Sequence, residues 1–197
     1  MAVEPMCRLF VGIPLAHAVQ RSLSEDQARL AGTVPRHSVR WVPGANLHLT
    51  LKFLGEIGRG RVAHLARSLS ESLAGWLVMP ASVGDGVALF PGAGRPRVVA
   101  ARVEGGDLLG QLASRMERWA FHEGVPREKR KFTPHVTLGR VRNPGTPLPG
   151  LARGRIMPLA WEMDRVCLYE SRLTPKGAVY RVRHTVALKV PDEPQDP

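Results

Sequence analysis

The sequence has few cysteines, few aromatic side chains and no long apolar run. Its two cysteines, Cys7 and Cys167, form no CxxC pair and lie in apolar stretches, so we expect core residues and no disulfide framework. No apolar stretch approaches the ~18 residues that a transmembrane helix needs. Pro14 interrupts the apolar stretch 9–19, which argues against a signal peptide. We therefore expect a cytoplasmic protein that is not embedded in a membrane.

Acidic residues are also scarce. The 197 residues include 28 Lys and Arg against 17 Asp and Glu, a net charge of +11, and 23 of the basic residues are Arg. Such an excess favours a polyanionic partner, phosphate first and a membrane surface second. A basic but otherwise ordinary soluble protein is the alternative. The 44% hydrophobic content is enough for a core, so we expect one domain or one duplicated domain.

Hydrophobic periodicity predicts a mixture of strands and helices. The predicted strands are 8–13, 39–42, 46–55, 97–103, 133–141, 165–170 and 179–189, with extended chain over 77–90 broken at Gly84–Gly86. The predicted helices are 16–31, 60–74 and 107–122. Residues 143–158 are predicted to be a loop and 191–197 a frayed tail.

An internal repeat follows from this order. Strand, helix and strand at 8–13, 16–31 and 46–55 recur with similar spacing at 97–103, 107–122 and 133–141. We therefore predict that residues 1–190 form a single domain built by internal duplication.

Both repeats end in a strand that reads His-apolar-Thr-Leu. The first copy holds His48 and Thr50, and the second holds His135 and Thr137. Residues i and i+2 of a strand share one face, so each His lies beside its Thr. The intervening apolar residues are predicted to face a core: Leu49, Leu51, Val136 and Leu138. If the two repeats pack face to face, both His-Thr pairs line one cleft.

Two imidazoles in one cleft suit phosphodiester hydrolysis. One can accept a proton from water while the other donates a proton to the leaving oxygen, and Thr hydroxyls can donate to the phosphate oxygens. The structural alternative is that both are partly buried strand histidines. A zinc site is a weaker alternative, because each strand offers one His without HExxH or a nearby Cys.

These motifs resemble the two-histidine phosphoesterase superfamily, and most closely its bacterial and archaeal branch of LigT-like RNA 2′,3′-cyclic phosphodiesterases, also called 2′-5′ RNA ligases. The resemblance covers roughly residues 7–188. The segments that carry it are 8–13, 39–43, 46–56, 95–97, 134–140 and 168–171.

The resemblance implies an α+β, bilobal fold with an antiparallel sheet and outer helices in each lobe and the active cleft between them. It implies hydrolysis of RNA 2′,3′-cyclic phosphate ends to 2′-phosphomonoesters without a metal or cofactor, and a weak ATP-independent 2′-5′ ligation. By analogy His48 is the acid that protonates O3′, His135 is the base, and Thr50 and Thr137 are the phosphate donors. The near-symmetry of the motifs leaves the reverse assignment of the histidines open. We expect a monomer.

Three basic residues are further candidates for substrate binding. Alternation places Lys52 on the face of His48 and Thr50, where it could reach phosphate; a solvated Lys at the strand end is an equally good interpretation. The resemblance puts Arg140 near the substrate, whereas alternation turns it away from His135 unless a bulge or a strand end near Gly139 brings it round. The basic segment 127–131 could contact an RNA backbone next to the cleft, and within it Arg130 is the residue that we most expect to do so. The alternative is that this segment is only a solvated loop.

The aromatic residues Phe53 and Trp41 could stack on a base. Phe53 also shares the alternation of the apolar residues Leu49 and Leu51, which favours the core.

Two other functions remain open. The substrate could be a small cyclic nucleotide or a 2′-5′-linked oligonucleotide. Alternatively, the chain could be an RNA-binding protein without catalysis, against which the intact His and Thr residues argue.

Overall fold

The computed structural model describes residues 4–144, 148–175 and 177–190. The predicted tail 191–197 lies outside the described residues. The strands are β1 (Met6–Pro14), β2 (Val39–Trp41), β3 (His48–Gly58), β4 (Met79–Phe90), β5 (Val98–Glu104), β6 (His135–Val141), β7 (Leu159–Met163), β8 (Arg165–Thr174) and β9 (Gly177–Ala187). The helices are α1 (His17–Ala31), α2 (Val62–Ser72), α3 (Gly106–His122) and the single turn α4 (Pro149–Ala152).

The strands form one antiparallel sheet in the order β7-β4-β5-β6-β3-β1-β8-β9, with β2 paired to β6. We call β3, β1, β8 and β9 the first half-sheet, and β7, β4, β5 and β6 the second half-sheet. The two meet at the single pair Leu49–Val136. Strands β6 and β5 occupy the positions that β3 and β1 occupy on the other side of this pair, an order that an internal duplication would produce. The duplication and the single domain over 1–190 stay predictions.

The sheet has one face packed against helices. Leu49, Leu51, Val136 and Leu138 are all buried, as predicted, and they share a single apolar cluster with residues of α1, α2 and α3. We call the opposite side, which carries His48 and His135, the His face. Phe10, Cys167 and Tyr169 form a separate buried cluster there. The α+β class is confirmed. No helix within the described ranges is long and apolar enough to cross a membrane.

Two segments differ from the prediction. The segment 143–158 includes the turn α4, and the five-residue edge strand β7 that follows it was not predicted, because so short an alternation is a weak signal. The extended segment 77–90 contains one continuous strand, β4, instead of two, and its pairing with β5 slips between Val83 and Val87, where Gly84–Gly86 were expected to break the segment.

Candidate active site

A β-bulge in β6 decides which side chains reach the His face. On the neighbouring strand β5, residues Val98, Ala100 and Arg102 alternate regularly and therefore share a face. Their partners on β6 are Arg140, Thr137 and His135. Leu138 is the extra residue that the pairing skips, so Arg140 returns to the face of His135. The bulge that was required to bring Arg140 to the His face is present, one residue before Gly139.

The same bulge occurs at the equivalent position of β3. Gly12 of β1 pairs with Thr50, while the preceding Val11 pairs with Lys52, so Leu51 is skipped. Beyond the bulge, Phe10 pairs with Phe53, which therefore lies on the His face with His48 and Thr50. Phe53 and Arg140 each follow their histidine by five residues.

Two sequence predictions are therefore wrong. Lys52 does not share the face of His48, because the bulge turns it into the core side, where the side chain is 5% exposed. Phe53 does not belong to the core: it is 58% exposed, and its ring centroid lies 6.0 Å from that of Phe10. Trp41, in contrast, packs against the main core, because it pairs with Gly139 on the core side.

A buried glutamine of α1 holds the bulge of β6. Nε2 of Gln27 donates to the carbonyl oxygen of the bulged Leu138 at 2.7 Å and to that of Val42 at 2.9 Å. The amide of Val42 also donates to the Leu138 carbonyl, at 2.9 Å. The carbonyl that a bulge removes from the ladder is thus satisfied twice, which stabilises the irregular conformation.

An ion pair with α3 holds the bulge of β3. Nζ of Lys52 lies 2.8 Å from Oε2 of Glu117 and donates to the carbonyl oxygen of Pro126 at 3.0 Å. Glu117 also accepts from the backbone amide of Glu128, at 2.9 Å. Lys52 therefore anchors the basic segment 127–131. Within that segment, the Arg130 side chain is 90% exposed and its Nε lies 3.5 Å from Glu128.

Both histidines are oriented by the same backbone contact. Nδ1 of His48 donates to the carbonyl of Asn46, and Nδ1 of His135 donates to the carbonyl of Thr133, each at 2.7 Å. A carbonyl can only accept, so Nδ1 carries the proton in both rings, and Nε2 is the atom left for chemistry. Nε2 of His48 lies 2.9 Å from Oγ1 of Thr50.

The rings around the two histidines differ. His48 packs against Phe10 (centroid distance 4.8 Å), Tyr180 (5.1 Å, edge-on) and Tyr169 (5.9 Å), whereas Phe90 lies against His135 at 4.9 Å. Burial lowers the pKa of the His48 imidazole, the hydrogen bond to Asn46 raises it in part, and the charge of His135 lowers it. The two imidazoles therefore interact electrostatically on the His face.

Sequence reasoning missed three features of this site. Gly12 backs the His48 ring: a Cβ there would lie 2.8 Å from the Leu49 carbonyl oxygen and 3.3 Å from Cδ2 of His48. A lone Gly inside an apolar strand is the signal that could have revealed this close approach. Tyr169 and Tyr180 carry no comparable signal.

Among the described residues, no three His, Cys, Asp or Glu side chains gather where they could hold a metal ion.

Residues 13–100 and 102–180 match the family described as LigT-like phosphoesterase. The chain is 31% identical over 176 residues to the RNA 2′,3′-cyclic phosphodiesterase of Thermotoga maritima, covering 89% of this chain and 92% of that protein. It is 32% identical over 177 residues to the protein of the same name from Archaeoglobus fulgidus, covering 88% and 96%.

The fold is similar to a solved structure as well. The crystal structure of TT0787 from Thermus thermophilus superposes with a TM-score of 0.70 at 30% identity. The match covers 92% of this chain and 97% of that one.

Proposed function

The chain belongs to the LigT-like phosphoesterase family, and from that premise we propose that it opens 2′,3′-cyclic phosphates at RNA ends to 2′-phosphomonoesters. The shared name of its relatives supports an enzyme that hydrolyses RNA cyclic phosphates. The observation that carries the finer proposal is the matched orientation of His48 and His135, whose Nδ1 atoms are both fixed by backbone carbonyls.

In the proposed reaction, His135 takes a proton from water as the water oxygen bonds to phosphorus. The bond between phosphorus and O3′ breaks, and His48 gives its Nε2 proton to O3′. The products are a 2′-phosphate and a free 3′-hydroxyl. The hydroxyls of Thr50 and Thr137 donate to the non-bridging oxygens as negative charge builds there. These steps need only protein side chains and water.

The acid must carry a proton before it can donate one. Burial lowers the pKa of His48 in the free protein, which opposes that state. The phosphate of a bound substrate is negatively charged and favours the imidazolium beside it. We therefore expect substrate binding to raise the pKa of His48 and to load the proton that O3′ receives.

Phe53 and Arg140 complete the proposed site. The exposed ring of Phe53 offers a stacking surface for a nucleobase, which is worth about 1–3 kcal/mol per base in single-strand binding. Arg140 brings a permanent positive charge to the His face for the phosphate. A 5′-hydroxyl that replaces the attacking water would leave a 2′-5′ linkage, the proposed weak ligation. The monomeric state and the cytoplasmic location stay predictions.

The test combines a 2′,3′-cyclic mononucleotide and a short RNA with a cyclic phosphate end, in EDTA, with the wild type, His48→Ala and His135→Ala. We expect a 2′-phosphate from the wild type and rates at least a hundredfold lower from each variant. A 3′-phosphate product would reverse the leaving oxygen, and a rate abolished by EDTA would contradict the metal-free steps. Turnover of the mononucleotide alone would favour the small cyclic nucleotide as substrate.

A further inference from the structure

Two arginines lie opposite each other on the His face. Arg40 of β2 pairs with Arg140 of β6. Cross-strand partners point to the same side of a sheet, so Arg40 shares the face of Arg140. Its neighbours on β2, Val39 and Trp41, pack against the main core on the other side, as alternation requires. Both side chains therefore lie on the surface that carries His135 and Thr137.

Among the described residues, eight arginines pair with a carboxylate, and Arg40 and Arg140 are not among them. Arg29 pairs with Asp26, Arg61 with Glu123, and Arg155 with Asp85. Glu170 alone binds three arginines: Arg59, Arg172 and Arg183. Within residues 4–144, 148–175 and 177–190, the side chains of Arg40 and Arg140 make no ion pair or hydrogen bond.

Like charges directly opposite each other destabilise a sheet. An anion between Arg40 and Arg140 would attract both guanidinium groups and offset their repulsion. A phosphate suits this position, because a guanidinium group can donate two parallel hydrogen bonds to its oxygens. The charge of Arg140 reaches Tyr180, whose pKa it lowers against the larger raising effect of burial. Tyr180 packs edge-on against His48. Arg140, with Arg40 as its cross-strand partner, lies on the face that carries His135, which is the face of the proposed cyclic phosphate.

We propose that Arg40, together with Arg140, binds the backbone phosphate that joins the terminal nucleotide to the rest of the RNA. The inference rests on the proposed function, because the cyclic end held by the histidines determines which phosphate lies next to it. A 2′,3′-cyclic mononucleotide without a 5′-phosphate lacks this group. Arg40 therefore discriminates an RNA end from a mononucleotide.

The experiment compares Arg40→Gln with the wild type on both substrates. As a matched control, Arg67→Gln removes an exposed arginine of α2. We expect kcat/KM for the cyclic-phosphate RNA to fall about tenfold more than kcat/KM for the mononucleotide, the size of one charged hydrogen bond at an exposed site. The slope of log KM for the RNA against log salt should decrease by about 0.7, one phosphate contact on a single strand. Arg40→Lys should keep that slope, and Arg67→Gln should change neither quantity.

A thermal melt separates this role from a structural one. Removing one of two like charges should leave the Tm of Arg40→Gln equal to or above that of the wild type, whereas loss of a structural contact lowers it. An equal fall on both substrates, a lower Tm or an unchanged salt slope would overturn the proposal.

Failure of the proposed function would be visible separately. If the wild type opens neither cyclic substrate, binding of the same RNA ended in a 2′-phosphate still tests Arg40, because it requires no turnover. A shallower salt dependence of the Kd in Arg40→Gln would then support the phosphate contact, and an unchanged one would refute it.

Discussion

The two half-sheets place the same bulge after the same motif, yet they stabilise it with different chemistry. In the second half-sheet, the neutral amide of Gln27 binds the bulged carbonyl. In the first, Lys52 beside the bulge forms an ion pair with Glu117. In each case the supporting helix follows a strand of the other half-sheet. Helix α1 follows β1 of the first half-sheet but contacts β6, and α3 follows β5 of the second half-sheet but contacts β3. The required backbone geometry is thus shared, while the side chains that enforce it are not.

The surroundings of the histidines differ in the same way. Among the described residues, three aromatic rings pack around His48 and one around His135. Burial in the first environment lowers the pKa of His48. A nearly symmetric backbone therefore places the two imidazoles in different surroundings.

Removing either histidine should have the largest effect. His48→Ala and His135→Ala should each lower the rate by about 10²–10⁴ on a normal cyclic phosphate. In a substrate with sulfur in place of O3′, the sulfur can leave as a thiolate without receiving a proton. Such a substrate should restore the activity of His48→Ala and not that of His135→Ala. Rescue of His135→Ala would show that the acid and base are assigned the wrong way round.

The two supports of the bulges should differ in strength. Lys52→Met leaves the partly exposed Glu117 carboxylate without its partner, and we expect the free energy of unfolding in urea to fall by about 2 kcal/mol. Gln27→Ala removes neutral hydrogen bonds and should cost about 1 kcal/mol. The double variant Lys52→Met with Glu117→Leu should recover part of the loss, because no charge is left unpaired. Equal losses in both single variants would show that charge adds nothing to the support.

Gly12→Ala tests the packing behind His48 alone. The new Cβ would meet the Leu49 carbonyl and the His48 ring, so the ring must shift. We expect kcat to fall by about one to two orders of magnitude with a smaller change in KM, because a misplaced acid affects the proton transfer more than binding. Ala100 faces Thr137 on the other half-sheet, and Ala100→Gly serves as the control for a change of one methyl group. An unchanged kcat in Gly12→Ala would mean that the ring position is not set by this contact.

The smallest expected effect is a shift of the pH profile. If His48 is the acid, the rate falls as pH rises through its pKa. Its pKa is lowered in the free protein, so the alkaline limb of kcat/KM should lie at lower pH than an ordinary histidine gives. The bound phosphate raises this pKa, so the alkaline limb of kcat should lie at higher pH than that of kcat/KM. Coincident limbs would contradict the proposed loading of the proton.

Alternation along the sequence was sufficient to predict the positions of His48, Thr50, His135 and Thr137 relative to the core. Alternation could not predict the sides of the sheet on which Lys52 and Phe53 lie, because a bulge of one residue leaves an apolar pattern that fits either register. Arg140 came to the site through the resemblance, against its own alternation. The contact that settles its orientation joins Gln27 to a carbonyl far along the chain, and no local pattern records such a pairing.

The sheet order also sets a sequence of events during synthesis. The second half-sheet is built from one continuous stretch of chain, from β4 to β7, so its pairings can form as soon as that stretch emerges. The first half-sheet instead pairs β1 with β8, which lie near opposite ends of the chain, and closing such a loop is slow. Two of the rings that pack around His48, Tyr169 and Tyr180, belong to β8 and β9, so these contacts form only after both strands have been synthesised. A nascent chain can therefore complete the surroundings of His135 first, and those of His48 only after β8 and β9 have emerged.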